Sequence, residues 1–176
     1  QDSFLFSKTG DIPDPDHGKN LAKLIAHFEP LKDATSVIIT HNALGAEGVK
    51  ILAESPILTK IVNLHLGSNK LGDEGAKTIA EAKLFANVRD LNLECNGIGP
   101  EGARALTNSP YLRQLTSLNL VDNRMGDAGV LTIAQSHLVT HLDYLHLGGN
   151  HLKDPATKIA VKESPQLSHI QTLKIF

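Results

Sequence analysis

Five asparagines, Asn42, Asn69, Asn96, Asn123 and Asn150, stand 27 residues apart without slippage. Equal steps of this length mark an internal repeat, in which each unit is one piece of supersecondary structure that cannot bury its apolar face alone. Such units stack, each covering its neighbour, and a continuous core runs the length of the stack. The pattern is clearest between Ile61 and Gly75. There Ile61, Leu64, Leu66, Asn69 and Leu71 occupy the spacing L-x-x-L-x-L-x-x-N-x-L, followed by Gly-Asp-Glu-Gly.

Within each unit the residue types assign local structure. Strands are predicted near Val37–Ile39, Leu64–Leu66, Leu91–Leu93, Leu118–Leu120 and Leu145–Leu147. Side chains alternate across a strand, so the two apolar residues face inward and the middle one outward. The following asparagine sits in a turn, where its amide can donate and accept at once and so satisfy backbone groups that stacking would bury. Next comes L/I/M-G-x-x-G in four units, at Gly45/Gly48, Gly72/Gly75, Gly99/Gly102 and Gly126/Gly129. The first glycine permits the bend into a helix, and the second lets neighbouring helices approach. Ser-Pro at 55–56, 109–110 and 164–165 ends helices, because proline cannot continue one. In repeat register these serines read as structural rather than as phosphorylation sites.

The ends depart from the frame. Residues 1–13 are expected to be an N-terminal arm, with Phe4, Leu5 and Phe6 folded onto the first repeat or disordered. Residues 14–33 are expected to be an N-terminal capping helix, a half repeat whose strand is missing. Asp14 suits the N-cap and Pro15 the first helical position. Leu21, Leu24, Ile25 and Phe28 follow at helical spacing. Residues 34–176 hold five repeats and a final strand, Leu173 to Ile175. In the fifth unit Lys153 and Ala156 replace the glycines and Pro155 enters the helix start, so the helical side is expected to differ there. The last strand leaves an open parallel edge, a pairing hazard. Further repeats beyond Phe176, or self-association through that edge, are the two expectations.

With 176 residues, 41% apolar and 20% charged, the chain fits one domain with a sizeable core. A net charge of −2 and no basic stripe argue against nucleic-acid binding. No apolar run approaches the ~18 residues of a membrane span, so no membrane partner is expected. Residues 1–12 show no signal-peptide pattern. Cys95 is the single cysteine, so no disulfide forms within the chain, which fits a reducing compartment.

These columns resemble the ribonuclease-inhibitor-like class of leucine-rich repeat over roughly residues 14–176. The L-G-D-E-G-A and S-P-x-L wording resembles bacterial members, including effectors of intracellular pathogens. The resemblance implies an α/β solenoid, with a parallel sheet on the concave face and helices on the convex face. It also implies a non-catalytic module that binds a protein partner through the concave face. Regulation of a small GTPase, or recognition of a host protein by a bacterial effector, are the alternatives it implies. The compartment would then be the cytoplasm or the interior of a host cell.

Gly97 to Gly102 spells G-x-G-x-x-G between a strand and a helix, with Asp122 about 20 residues on, as a dinucleotide site requires. Gly99 and Gly102 are the recurring pair, however, and Gly97 falls in a column that otherwise holds Ala43, Lys70, Arg124 and His151. No cofactor is expected. His65 and His146 share an outward column, yet three strand spacings put them roughly 14 Å apart. Zinc ligands need to lie within roughly 3–4 Å of each other, so no metal is expected. His137 and His141, four apart, straddle a helix end and the approach to the next strand. Cys95 would need a base such as His41 or His65 to act as a nucleophile. No constellation of acid, base and nucleophile stands out, and an enzyme is not expected.

The outward columns are free of obvious structural duty. They read Ser36, Asn63, Asp90, Ser117, Tyr144, Thr172, then Ile38, His65, Asn92, Asn119, His146, Lys174, then Thr40, Gly67, Glu94, Val121, Gly148, Phe176. Partner binding is assigned to His65, Asp90, Asn92, Glu94, Asn119, Asp122, Tyr144 and His146. The acids Asp90, Glu94 and Asp122 suggest a patch over the third and fourth repeats, and Tyr144 is an aromatic anchor of the kind interfaces favour.

Overall fold

The computed structural model describes residues 3–7 and 14–175. Among these residues seven strands form one parallel sheet in chain order: β1 (Ser3–Ser7), β2 (Ser36–Thr40), β3 (Asn63–His65), β4 (Asp90–Asn92), β5 (Ser117–Asn119), β6 (Tyr144–His146) and β7 (Thr172–Lys174). Between them run α1 (His17–Ala26), α2 (Gly45–Ala53), α3 (Gly72–Glu81), α4 (Pro100–Thr107), α5 (Gly126–Ala134) and α6 (Pro155–Lys162). A strand followed by a crossover helix returns parallel to the first strand, which is why one repeated unit yields an all-parallel sheet.

The repeat frame converts directly into packing. Val37, Leu64, Leu91, Leu118 and Leu145 form one buried column under the sheet, and Ile39, Leu66, Leu93, Leu120 and Leu147 another. Helix residues Val49, Ala76, Ala103 and Val130 close the core from the other side. Short 3-10 turns after several helices add Leu31, Phe85, Val139 and Leu167 to the core floor. Burying a leucine-sized side chain stabilises by roughly 1.5–3 kcal/mol, so these columns are the main favourable contribution to folding.

Two polar ladders stitch the stack. Oδ1 of Asn69, Asn96 and Asn123 accepts the backbone N–H of Asn42, Asn69 and Asn96 in turn, at 3.0, 2.9 and 3.0 Å. Each asparagine Nδ2 donates back to a strand carbonyl of the preceding unit, as Asn96 does to Leu66 at 2.9 Å. Across the helix ends, Ser55, Ser109 and Ser164 donate to Ala26, Ala80 and Ala134 carbonyls of the preceding helix. Ser55 and Ser109 also accept from backbone N–H groups two and three residues on. The Ser-Pro serines therefore hold one helix end to the next.

The N-terminal half repeat requires correction. Its strand is not missing: Ser3–Ser7 pairs with β2 in the register Phe4↔Val37 and Phe6↔Ile39. That is an offset of 33 residues rather than 27, and no asparagine marks the unit, so the period conceals it. Nδ2 of Asn42 donates to the Phe6 carbonyl at 3.1 Å, continuing the ladder, and the His17 ring reaches Asn42 Oδ1 at 3.1 Å in place of the absent asparagine. Residues 1–2 and 8–13 of the expected arm, and Phe176, lie outside the described residues. The helix begins at His17 rather than Pro15, while Asp14 Oδ1 accepts from Asp16 N–H at 2.9 Å in the turn before it. Ile25 is buried, but Leu24 and Phe28 are exposed.

From α3 onward the helix starts alternate in a way the glycine pattern hides. Gly45, Gly72 and Gly126 adopt φ near +60°, the left-handed bend expected of the first glycine. Gly99 does not: it is extended, at φ −98°, and Pro100 opens α4. Oδ1 of Asp73, one repeat earlier, accepts the N–H groups of Gly99 and Gly102 at 2.7 and 2.8 Å. Asp127 repeats the device two units on, accepting from Lys153 and Asp154 N–H at the start of α6, which also opens with proline. A carboxylate in the preceding repeat thus caps the helix where a proline has replaced the glycine bend. The fifth unit differs as expected: of the side chains of α6, only Thr157 and Val161 are buried, and Ile159 is 56% exposed.

Candidate interaction surface on the strand face

Parallel pairing sets Asn63, Asp90, Ser117 and Tyr144 side by side, and His65, Asn92, Asn119 and His146 beside them. All eight residues assigned to partner binding therefore fall on or at the rim of one face. The structure also gives several of them internal duties. His65 Nε2 lies 2.9 Å from Asp90 Oδ2. That hydrogen bond, helped by Ser117 and opposed by partial burial, holds the Asp90 carboxyl below the usual range. Asn92 Oδ1 accepts the Glu94 N–H at 2.9 Å, and Asn119 Oδ1 accepts the Val121 N–H at 3.1 Å. These asparagines tie the strand end into the turn, so the middle column is not free of structural duty as the sequence suggested. Asn119 Nδ2 donates to Glu94 Oε2 at 2.9 Å, and Glu94 lies over Gly67, where an added Cβ would meet Glu94 Cγ at 2.9 Å.

The three acids are consequently not equivalent. Asp90 is hydrogen-bonded to a ring and Glu94 is held by an amide, while Asp122 is exposed at the rim. Gly149 makes room for it: a Cβ there would lie 1.9 Å from Asp122 Oδ1. Cys95 Sγ is 3.9 Å from Asp122 Oδ2. Partial desolvation and the Asp122 charge push the thiol up, the reverse of what activates a cysteine nucleophile. The groups acting on it are Asp122, Ser68 and Glu94, not His41 or His65.

Tyr144 and His146 meet edge to face, with ring centroids 6.5 Å apart and planes at 89°. Lys174 Nζ stands 5.9 Å from the centre of the Tyr144 ring. Partial burial and the nearby Lys174 charge lower the His146 pKa, against the opposing pull of Asp122 and Glu94. Lys174 joins this group only in the folded chain, because the sequence offers no sign that it stands over an aromatic one strand away.

The G-x-G-x-x-G spelling is also resolved. The N–H groups of Gly99 and Gly102 already donate to Asp73, which occupies the place a phosphate would take. Gly97 is less accidental than its column suggests. It sits at φ +70°, in a column where Ala43, Lys70 and His151 also adopt the left-handed region.

Comparison with known proteins bears on the fold. A leucine-rich repeat family model matches residues 58–80, 86–106 and 111–134. No curated protein matches the sequence. Among solved structures, actin-binding site 2 of leiomodin-1 is similar, with a TM-score of 0.54 at 19% identity and 90% of each chain covered. An internalin from Listeria monocytogenes gives 0.47 at 20% identity, covering 97% of this chain and 46% of that one. With the 27-residue frame, the single parallel sheet and the helix in each complete unit, the chain is an α/β leucine-rich repeat solenoid.

Proposed function

We propose that this chain is a non-catalytic interaction module that binds a protein partner through the strand face between β3 and β7. The observation that carries the reading is the Tyr144 group. A tyrosine braced by His146 at its edge and Lys174 over its ring, beside the exposed Asp122 carboxylate, is a pre-positioned aromatic anchor with charged neighbours. Anchors of this kind dominate binding energy where the surrounding contacts exclude water. The internal pairs His65–Asp90 and Asn119–Glu94 hold the adjoining surface in one arrangement, which lowers the ordering cost of association. The 27-residue unit with helical second halves supports the ribonuclease-inhibitor-like kind of repeat. The leiomodin-1 segment, whose name records actin binding, shares this fold, and the identity of the partner here rests on experiment.

The test is capture of partners from lysates on the immobilised chain, followed by titration of the captured protein. Truncating Tyr144 to alanine should weaken binding by about 30-fold, the ~2 kcal/mol of a hot spot. Asp122→Lys should weaken it too, while Lys50→Ala on the helical side should not. Equal affinity for all three variants, with unchanged far-UV circular dichroism, would place the interface elsewhere.

A further inference from the structure

On the opposite side from the strand ends, the segment after α4 and the 3-10 turn His137–His141 enclose an open hollow of about 540 Å³. Its volume lies in the ~300–1,000 Å³ range of small-molecule sites. Its lining is unusual for this chain. Acidic residues outnumber Lys and Arg, 19 to 17, yet no Asp or Glu lines the hollow. The adjoining groove between α3 and α4, by contrast, carries Asp73, Glu74, Glu81 and Glu101.

Four donors border the hollow: the Arg113 guanidinium, the His137 and His141 imidazoles and the Asn108 amide. Among the described residues these side chains have no hydrogen-bond or ionic partner. The hydroxyl groups in the wall, in contrast, already donate to backbone carbonyls. In the adjoining groove Arg104 is engaged with Glu101. Unspent donors, an arginine fork and the absence of carboxylates define a site for an oxyanion. A phosphate monoester carries close to two negative charges at neutral pH, so it draws more from an arginine fork and neighbouring donors than a singly charged carboxylate does. Pro110 and Leu138 supply apolar wall beside them.

We infer that the hollow bounded by Arg113, Asn108, His137 and His141 binds a phosphate monoester, the phosphate on the donors and a small apolar body against Pro110 and Leu138. This site is independent of the strand face, so its failure would leave the protein-binding reading untouched, and the reverse also holds.

The test is a titration of the isotope-labelled full chain with phenyl phosphate, with inorganic phosphate and with sodium chloride at matched ionic strength, followed by amide and side-chain NMR shifts. Phenyl phosphate is expected to give saturable shifts at residues 107–113 and 137–141, with inorganic phosphate weaker and chloride inert. Arg113→Ala, at an exposed and unpartnered side chain, should cost about 10-fold or more in affinity, the loss of one charge-assisted bond. Arg113→Lys should recover part of it. His137→Ala provides an independent second loss. Shifts that never saturate, that chloride reproduces, that fall outside the two segments, or that Arg113→Ala leaves unchanged would overturn the assignment. Saturation by inorganic phosphate as tight as by phenyl phosphate would remove the apolar part of the site and reduce the inference to a free-phosphate site.

Discussion

Replacing Asn96 by alanine tests the asparagine ladder at its middle member, which is buried. Oδ1 accepts from Asn69 N–H at 2.9 Å and Leu71 N–H at 3.5 Å, and Nδ2 donates to Leu66 and Glu94 carbonyls at 2.9 and 3.0 Å. The carbonyls do not lose everything. Leu66 still accepts from Asn69 Nδ2 at 3.0 Å, and Glu94 from Ser68 N–H at 2.9 Å. The Asn69 N–H, in contrast, is left without an acceptor in a residue that is 0% exposed. A buried orphaned donor costs ~1–3 kcal/mol and each of the two carbonyl bonds ~1 kcal/mol, so the expected loss is about 4 kcal/mol. Asn42→Ala is the internal control. It sits one unit from the end, its Oδ1 faces the His17 ring rather than a backbone N–H, and truncation should cost only ~1–2 kcal/mol. Urea unfolding followed by circular dichroism measures both, and hydrogen exchange of the Asn69 amide reports the orphaned group directly. A loss below ~1 kcal/mol for Asn96→Ala, or equal losses for the two variants, would refute the idea that the amide's worth lies in the buried donor it satisfies.

Three further outcomes follow from particular contacts. Asp73→Ala removes the acceptor for Gly99 and Gly102 N–H and should destabilise by ~1–2 kcal/mol in urea unfolding, with Asp73→Asn milder; no change would mean α4 does not depend on the carboxylate. Gly18→Ala would place a Cβ 2.1 Å from the Ala43 carbonyl oxygen, so α1 has to move off the turn at a cost of at least ~2 kcal/mol, read as lost amide protection in α1. The Asp90 carboxyl, held low chiefly by its hydrogen bond from His65, should titrate below the ordinary ~3.9 by NMR. Because the folded value is depressed, its contribution to stability is present above about pH 4 and fades as pH falls through the folded value. In His65→Ala the Asp90 midpoint should move up, and an unmoved midpoint would break the assignment. The pair is partly exposed, so its contribution at neutral pH stays within the ~0–1 kcal/mol of a solvent-screened bridge.

Much of this molecule is legible in its sequence because a strict period assigns each position a task. Leu64 and Leu66 must face the core, Asn69 must sit in the turn, and Gly75 must lie where a Cβ would collide with Leu71 at 2.7 Å. Each of these duties recurs at the same place in successive repeats, so spacing alone reveals them. Where the period breaks, so does the inference. The strand at Ser3–Ser7 sits 33 residues from its partner and carries no asparagine, and only the sheet shows that it pairs. The alternation of helix starts, with Asp73 and Asp127 reaching into the next unit, depends on a backbone distance across 26–29 residues that no local pattern encodes. The same holds on the strand face. Columns name Asp90, Glu94 and Asp122 as three acids, while the tertiary structure gives the first a histidine, the second an amide and the third a thiol at an exposed rim. It alone brings Lys174 over Tyr144, and Arg113 to the hollow that His137 and His141 also line. Periodicity determines which side of the chain a residue faces, but what it meets there depends on side chains from other repeats, whose approach is set only once the stack has formed.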